Sequence, residues 1–221
     1  MPKRISLEQV SLAGGPTLPQ IVMEKQTIKE AYQKFTVKDS KVEAVSGESI
    51  SKGTGKGRAE VSEVKTLVDN RLQFTNGRKN RLKPDIRYKT GEYDYFYETD
   101  NVGRIVKFET ENLQLTTRTD RLSHSKNTPG KVKGQDHAGH LAGDRFGGSP
   151  KIDNLVSQLS DVNLKQYKKL EELWAAALKE TPPKKVTVDV NIIYSGNDMR
   201  PEKFIVRYTI DGEFGSANLK N

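Results

Sequence analysis

The chain has 221 residues, with 37 Lys and Arg against 29 Asp and Glu, a formal net charge of +8 and no Cys. This length suits one domain, or one domain with an appendage. The lack of Cys excludes a disulfide scaffold, a thiolate zinc site and a Cys nucleophile. No run of about 18 apolar residues exists, which excludes a transmembrane helix, and the opening MPKRISLEQV lacks the apolar stretch of a secretory signal. Hydrophobic residues make up only 33% of the chain, so part of it is expected to be linker. The basic excess points to anionic partners, nucleic acid first and acidic protein second.

Residues 1–75 read as a basic, poorly packed lead-in, punctuated by Gly14-Gly15-Pro16, Ser46-Gly47 and Gly53-Thr54-Gly55-Lys56-Gly57. Thr27 to Phe35 suits a short helix. The Gly53–Gly57 patch lacks the Gly-Lys-Ser/Thr ending of a P-loop and no apolar strand precedes it, so it reads as linker. Residues 51–90 hold 11 Lys and Arg against 4 Asp and Glu, which is either a solvated linker or a phosphate-facing surface.

From about residue 84 the pattern becomes that of strands. Ile86 and Tyr88, then Tyr93, Tyr95 and Tyr97, alternate with polar neighbours, the two-residue period of a half-buried strand. Thr99 to Gly103 supplies turn residues and Arg104 to Phe108 returns, predicting a hairpin. Residues 119–138 read as a long polar loop, and loops of that length inside a domain are often functional. Ser160 or Asp161 can cap a helix. Its Tyr167, Leu170, Trp174 and Ala177 or Leu178 recur at spacings of three and four, predicting a buried stripe with Leu170 and Trp174 in the core. Thr181-Pro182-Pro183 ends the helix. Val186, Val188, Val190 and Ile192, then Phe204, Val206 and Tyr208, predict a second antiparallel hairpin.

Chemistry concentrates between residues 135 and 171. The three imidazoles are His124, His137 and His140, and two of them lie in a Gly-rich run that also holds Asp136, Asp144 and Arg145. Imidazole titrates near neutral pH and is the natural general base, although a lone loop His is more often a surface residue. Asn163 falls in the first turn of the helix, where an Asn also serves as a cap, and Glu171 lies two turns on, where a solvated charge is the plain alternative. Two rival readings stand beside catalysis by His140. His137-x-x-His140 with His124 offers three nitrogen ligands for Zn²⁺. Alternatively, the chain is a non-catalytic basic nucleic-acid-binding domain, with Tyr93, Tyr95 and Tyr97 as stacking faces.

As a set, Gly139-His140, Asn154 with Gln158, Asn163 and Glu171 resemble the DNA/RNA non-specific endonuclease family of the ββα-metal, or His-Me finger, nucleases. There an Asp-Arg-Gly-His sequence carries the base, followed by Asn-x-x-x-Gln, a metal-binding Asn at a helix start and a Glu two turns later. The run from Gly139 to Trp174, the stretch Tyr88 to Tyr95 and the Gly103-Arg104 hairpin are similar to the subgroup found as C-terminal toxin domains of bacterial LXG-type polymorphic toxins. The resemblance covers about residues 80–215. One departure is plain: Ala138 stands where the family has Arg, and Asp136 lies one residue further from His140.

The resemblance implies an α+β fold, an antiparallel sheet with a ββα-metal finger whose long helix packs on it, and a nuclease domain over residues 76–221. It implies a metal-dependent endonuclease acting on DNA and/or RNA. His140 is its base, Asn163 holds Mg²⁺ or another divalent cation such as Mn²⁺, and Glu171 orients metal-bound water. Asp136 is a third catalytic residue, Asn154 and Gln158 support the site, and Arg145 or Arg118 takes the phosphate contact left by the missing Arg. It further implies an acidic immunity protein, export by a bacterial system within a larger toxin, and action in the target-cell cytoplasm.

Overall fold

The computed structural model describes residues 65–69, 71–75 and 80–221. The expected helix over Thr27–Phe35 and the linker Gly53–Gly57 lie outside the described residues. In chain order the strands are β1 (Thr66–Leu67), β2 (Ile86–Thr90), β3 (Tyr95–Thr99), β4 (Ile105–Thr110), β5 (Asp136–His140), β6 (Leu155–Leu159), β7 (Val186–Tyr194), β8 (Pro201–Ile210) and β9 (Glu213–Lys220). A π-helical segment, Val162–Tyr167, runs directly into helix α1 (Lys168–Leu178).

Seven strands make one sheet in the order β1-β2-β3-β4-β7-β8-β9. Every neighbouring pair is antiparallel except β1 with β2, which is parallel. β4 and β7 are neighbours in this sheet, and the chain between them forms a separate antiparallel ribbon, β5–β6, followed by the helix. The fold is thus α+β, with a ββα unit inserted into an antiparallel sheet.

Alternation along β2, β3, β4, β7 and β8 decides which face is buried. Tyr88, Tyr97, Phe108, Val190, Val206 and Phe204 are fully buried on the inner face. Tyr88 stacks on Tyr97 with ring centroids 5.5 Å apart, and Tyr97 on Phe108 at 5.1 Å. Each such ring stabilises the fold by roughly 1.5–3 kcal/mol through burial. The opposite face carries Arg87 paired with Glu98 at 2.5 Å and Lys107 with Glu109 at 2.6 Å, which keeps it wet. The helix buries its expected stripe: Tyr167, Leu170, Trp174 and Ala177 are all buried. Trp174 meets Tyr208 edge-on at 5.8 Å and Tyr167 meets Phe204 at 6.4 Å, so the helix lies over β8.

Several details differ from the sequence reading. Tyr93 belongs to the turn between β2 and β3, where Gly91 and Asp94 take positive φ, and its hydroxyl donates to Leu115 O at 2.6 Å. Residues 135–140 were expected as loop and are mostly strand. Asp161 makes no capping bond; its carboxylate takes Lys165 at 2.7 Å and Gln166 at 2.9 Å. Upstream of residue 76, Phe74 enters the core and bridges Leu82, and β1 extends the sheet edge.

The β5–β6 ribbon has only two strands, and Asn221 closes the outer edge of β6. Its side chain accepts from Leu159 N at 2.7 Å and donates to Ser157 O at 3.0 Å and Pro201 O at 2.8 Å. Its backbone N–H donates to Glu202 O at 2.7 Å. One carboxamide therefore ties the ribbon to the large sheet immediately before the helix begins. Asn221→Ala is expected to lower stability by about 1–3 kcal/mol, since it strands partly buried backbone groups, and to speed amide exchange at Leu159. Denaturant unfolding and hydrogen exchange check both.

Candidate active site

The segment between the ribbon strands, residues 141–154, is mostly buried with little regular structure, so its backbone needs partners from elsewhere. The sheet provides them. Tyr88 donates to Asp153 O at 2.8 Å, Tyr95 to Phe146 O at 2.9 Å, and Tyr167 of the helix to Leu141 O at 2.7 Å. Asn154 is the hub. Its Nδ2 donates to Ala142 O at 2.9 Å and Ser149 O at 2.8 Å, and its Oδ1 accepts from Ala142 N and Tyr97 Oη, both at 2.8 Å. The Asp153 carboxylate takes Ser149 Oγ at 2.6 Å, Thr90 Oγ1 at 2.9 Å and Gln73 Nε2 at 2.9 Å. Asn154 therefore holds the loop and has no free donor or acceptor for chemistry.

His140 ends β5 at the entrance to this loop. Burial pulls its pKa down to about 4, with the neighbouring His124 and the charges of Arg121 and Arg118 acting the same way and Asp144 against them. The ring is neutral at neutral pH and keeps a lone pair. His124, from the long loop, packs edge-on against it with centroids 4.9 Å apart. Arg118 donates to Asp144 O at 3.2 Å and Oδ1 at 3.1 Å and lies 3.4 Å from Glu92. Sequence reasoning singled out the loop by its length and grouped His124 with His140 only as zinc ligands beside His137; it did not place Arg121 there.

The helix carries Asn163 and Glu171. In a straight α-helix eight residues subtend about 800°, which would set the two side chains roughly 80° apart. The wider π-helical turn over Val162–Tyr167 advances fewer degrees per residue and takes up most of that difference. Both oxygen-bearing side chains thus share one helix face. Glu171 packs against Gly143, where any Cβ would collide with its carboxylate. Burial pushes its pKa up to about 7, opposed by the nearby charge of Arg145. Among the described residues Glu171 makes no hydrogen bond. The Asn163 amide nitrogen lies 3.2 Å from His137 Nδ1, and Oδ1 has no partner among the described residues. An amide oxygen and a carboxylate without hydrogen-bond partners among the described residues, on one helix face, form a donor set suited to a hard, oxygen-seeking cation.

Other expected residues fall elsewhere. Asp136 is a correction. Its buried carboxylate receives Arg200 Nε and Nη2 at 2.8 Å each and Val132 N at 2.9 Å, so it clamps β5 to the β7–β8 connection and the long loop instead of serving His140. Burial alone would raise its pKa, but the Arg200 and Val132 bonds hold it below the usual carboxylate range. Gln158 is fully buried over Gly139, and neither of its amide atoms has a partner among the described residues. Arg145 is exposed and faces Glu171 electrostatically. The three-histidine zinc reading fails: residues three apart on a strand point to opposite faces, so His137 is separated from the His124–His140 pair. No group of three or more His, Asp or Glu able to hold a metal occurs among the described residues. No hydrogen bond joins Asn163 to His140 among them either. Tyr95 and Tyr97 are 2% and 0% exposed, which removes them as stacking faces for bases.

Two expectations separate structural from functional roles. Asp136→Asn leaves Arg200 unpaired and is expected to lower stability at pH 7 by about 2 kcal/mol, less than for a fully buried pair because Arg200 is partly wet. The folded pKa lies below the unfolded value near 3.9, so this contribution is present above that pH and is lost as pH falls through the folded value. Glu171 has the opposite sign. Its raised pKa makes the ionised form a cost that grows from about pH 4.3 to about 7. Glu171→Gln is expected to be more stable than the parent at pH 8 and similar at pH 4. Denaturation at three pH values checks both.

The family model for DNA/RNA non-specific endonuclease matches residues 84–212, from β2 through β8 and across every site residue above. The type VII secretion system protein EssD of Staphylococcus aureus (strain USA300) is 35% identical over 163 residues, covering 71% of this chain and 26% of that protein. EssD of strain Newman matches to the same extent. The chain thus spans about a quarter of the length of these relatives. Among solved structures, an extracellular endonuclease is 18% identical, covers 59% of this chain and 80% of its own, and gives a TM-score of 0.38. The structure of Sda1 nuclease with bound zinc ion is 20% identical, covers 39% of each chain and gives 0.37. With more than half its length matched by the family model, the chain belongs to the DNA/RNA non-specific endonuclease family.

Proposed function

We propose that this chain is a metal-dependent endonuclease that hydrolyses phosphodiester bonds of DNA and RNA without sequence preference, with His140 as general base. The observation that carries the reading is the convergence on one turn, residues 140–145. A neutral, desolvated imidazole opens it, and the partnerless Glu171 carboxylate packs on Gly143 within it.

A phosphodiester already carries negative charge and resists attack. Neutral His140 takes a proton from the attacking water. Its low pKa keeps the lone pair available across the neutral range. Asn163 and Glu171 would hold Mg²⁺ or Mn²⁺ and its waters, and when bound such an ion polarises the phosphate and stabilises the leaving oxygen. Arg118, braced by Asp144, and exposed Arg145 supply cations to the phosphates on either side of the turn. Gln158, packed on Gly139, and Asn154 fix the backbone that presents His140.

Similarity to EssD over 71% of the chain supports a further part of the reading. In it the chain is the nuclease portion of a larger toxin of the LXG type, exported by a bacterial secretion system and acting in the cytoplasm of a target cell. An immunity protein with an acidic face restrains it, matching the +8 charge. No helix among the described residues is long and apolar enough to cross a membrane.

Cleavage of plasmid DNA and of RNA is expected with Mg²⁺ and absent with EDTA. His140→Ala and Asn163→Ala are expected to lose at least about 100-fold in rate. Cleavage that persists in EDTA, or survives His140→Ala, overturns the reading.

A further inference from the structure

We propose that His137 is a positioning residue that decides which end of the Asn163 carboxamide meets a divalent cation. The proposal rests on the reading of Asn163 as a ligand of that cation.

The two ends of a carboxamide are nearly equal in shape and opposite in polarity. The oxygen binds a hard cation, whereas the NH₂ group would point hydrogens at it. A ligating Asn therefore needs an acceptor for its nitrogen. The one hydrogen bond that the Asn163 amide makes among the described residues is from Nδ2 to His137 Nδ1, at 3.2 Å. Since the amide nitrogen donates, Nδ1 carries the lone pair and the ring proton sits on Nε2. The same bond leaves Oδ1 free. Bonds of this kind, one shell away from an ion, orient the groups that touch it.

The surroundings of His137 suit a fixed acceptor. It lies within β5, opposite Gln158 on β6, and Gln158 is fully buried. The strand is held on one side by β6 and through Asp136 by Arg200. The His137 ring makes no other hydrogen bond among the described residues and is not part of the hydrophobic core. Alternation turns it away from the face that carries His140, so it is not a second base for the same water. A half-buried imidazole with a single polar partner, where that partner is the candidate ligand, is accounted for by the orientation of that partner.

Substitution separates the Nδ1 lone pair from the bulk of the ring. The Oδ1 of Asn can stand near the place of Nδ1, so His137→Asn keeps an acceptor, whereas His137→Ala and His137→Leu remove it. Binding of Mn²⁺ to the full 221-residue chain is measured by calorimetry without nucleic acid, beside the Mg²⁺ concentration giving half-maximal cleavage. The Ala and Leu variants are expected to need about tenfold more metal in both assays. The Asn variant is expected to stay within about threefold of the parent. Oligonucleotide binding in EDTA and the thermal midpoint are expected to be unchanged in all three.

Parent-like Mn²⁺ binding in the Ala and Leu variants overturns the proposal. So does a folded Asn variant that binds as poorly as Ala. Asn163→Ala distinguishes this failure from failure of the underlying reading. If it loses Mn²⁺ while His137→Ala keeps it, only the positioning role falls. If Asn163→Ala binds Mn²⁺ like the parent, or the parent does not bind it, the ligand assignment falls and the role of His137 with it.

Discussion

Burying an irregular loop is costly unless every backbone group in it finds a partner. The active-site turn depends on how the protein meets that constraint. Tyr88 and Tyr97 lie in the middle of the sheet with their rings fully in the core, yet each hydroxyl reaches out of the core to the 141–154 segment. The rings stabilise the sheet and the hydroxyls brace the loop. Asn154 completes the bracing with four bonds to three different parts of the chain. The sheet thus acts on the chemistry through a few phenolic oxygens, although none of them touches the proposed reacting atoms.

What the sequence made legible follows from periodicity. Strands with one buried face and the amphipathic helix repeat strictly, and β2, β4, β7, β8 and α1 emerged at nearly their observed positions. β9 was missed because Gly215, Ser216 and Asn218 dilute its alternation, although Asp211-Gly212 is a strong hairpin signal and both take positive φ. β5 was missed because an aspartate, two histidines, an alanine and a glycine do not look like a strand. Its conformation comes from pairing with β6 and from the Asp136–Arg200 clamp, both long-range. The π-helical turn is equally invisible in composition. Spacing alone suggested that Asn163 and Glu171 share a side, and the wider turn is what brings them onto one face.

The residues identified by resemblance divide by physical environment. Asn154 and Asp136 are saturated with hydrogen bonds and behave as structure. Gln158 is a buried amide without a partner among the described residues, Glu171 is a half-buried carboxylate without a hydrogen bond among them, and His140 is an imidazole held neutral by burial. Groups of the second kind weigh against stability and tend to gather at functional sites. This contrast, more than sequence position, separates the scaffold from the candidate chemistry.

The wide turn at the start of the helix has a consequence for how this segment tolerates change. Leu164 and Lys165 are exposed there, and their identity matters little to packing. What matters is length and pitch together. The same eight residues wound at ordinary pitch would swing the carboxamide roughly 80° from the carboxylate, whereas losing one residue along with the wide turn leaves about 700°, within about 20° of the same face. The segment therefore behaves as a one-residue insertion absorbed by a widened coil. Either change alone separates the two groups, and both at once leave them aligned.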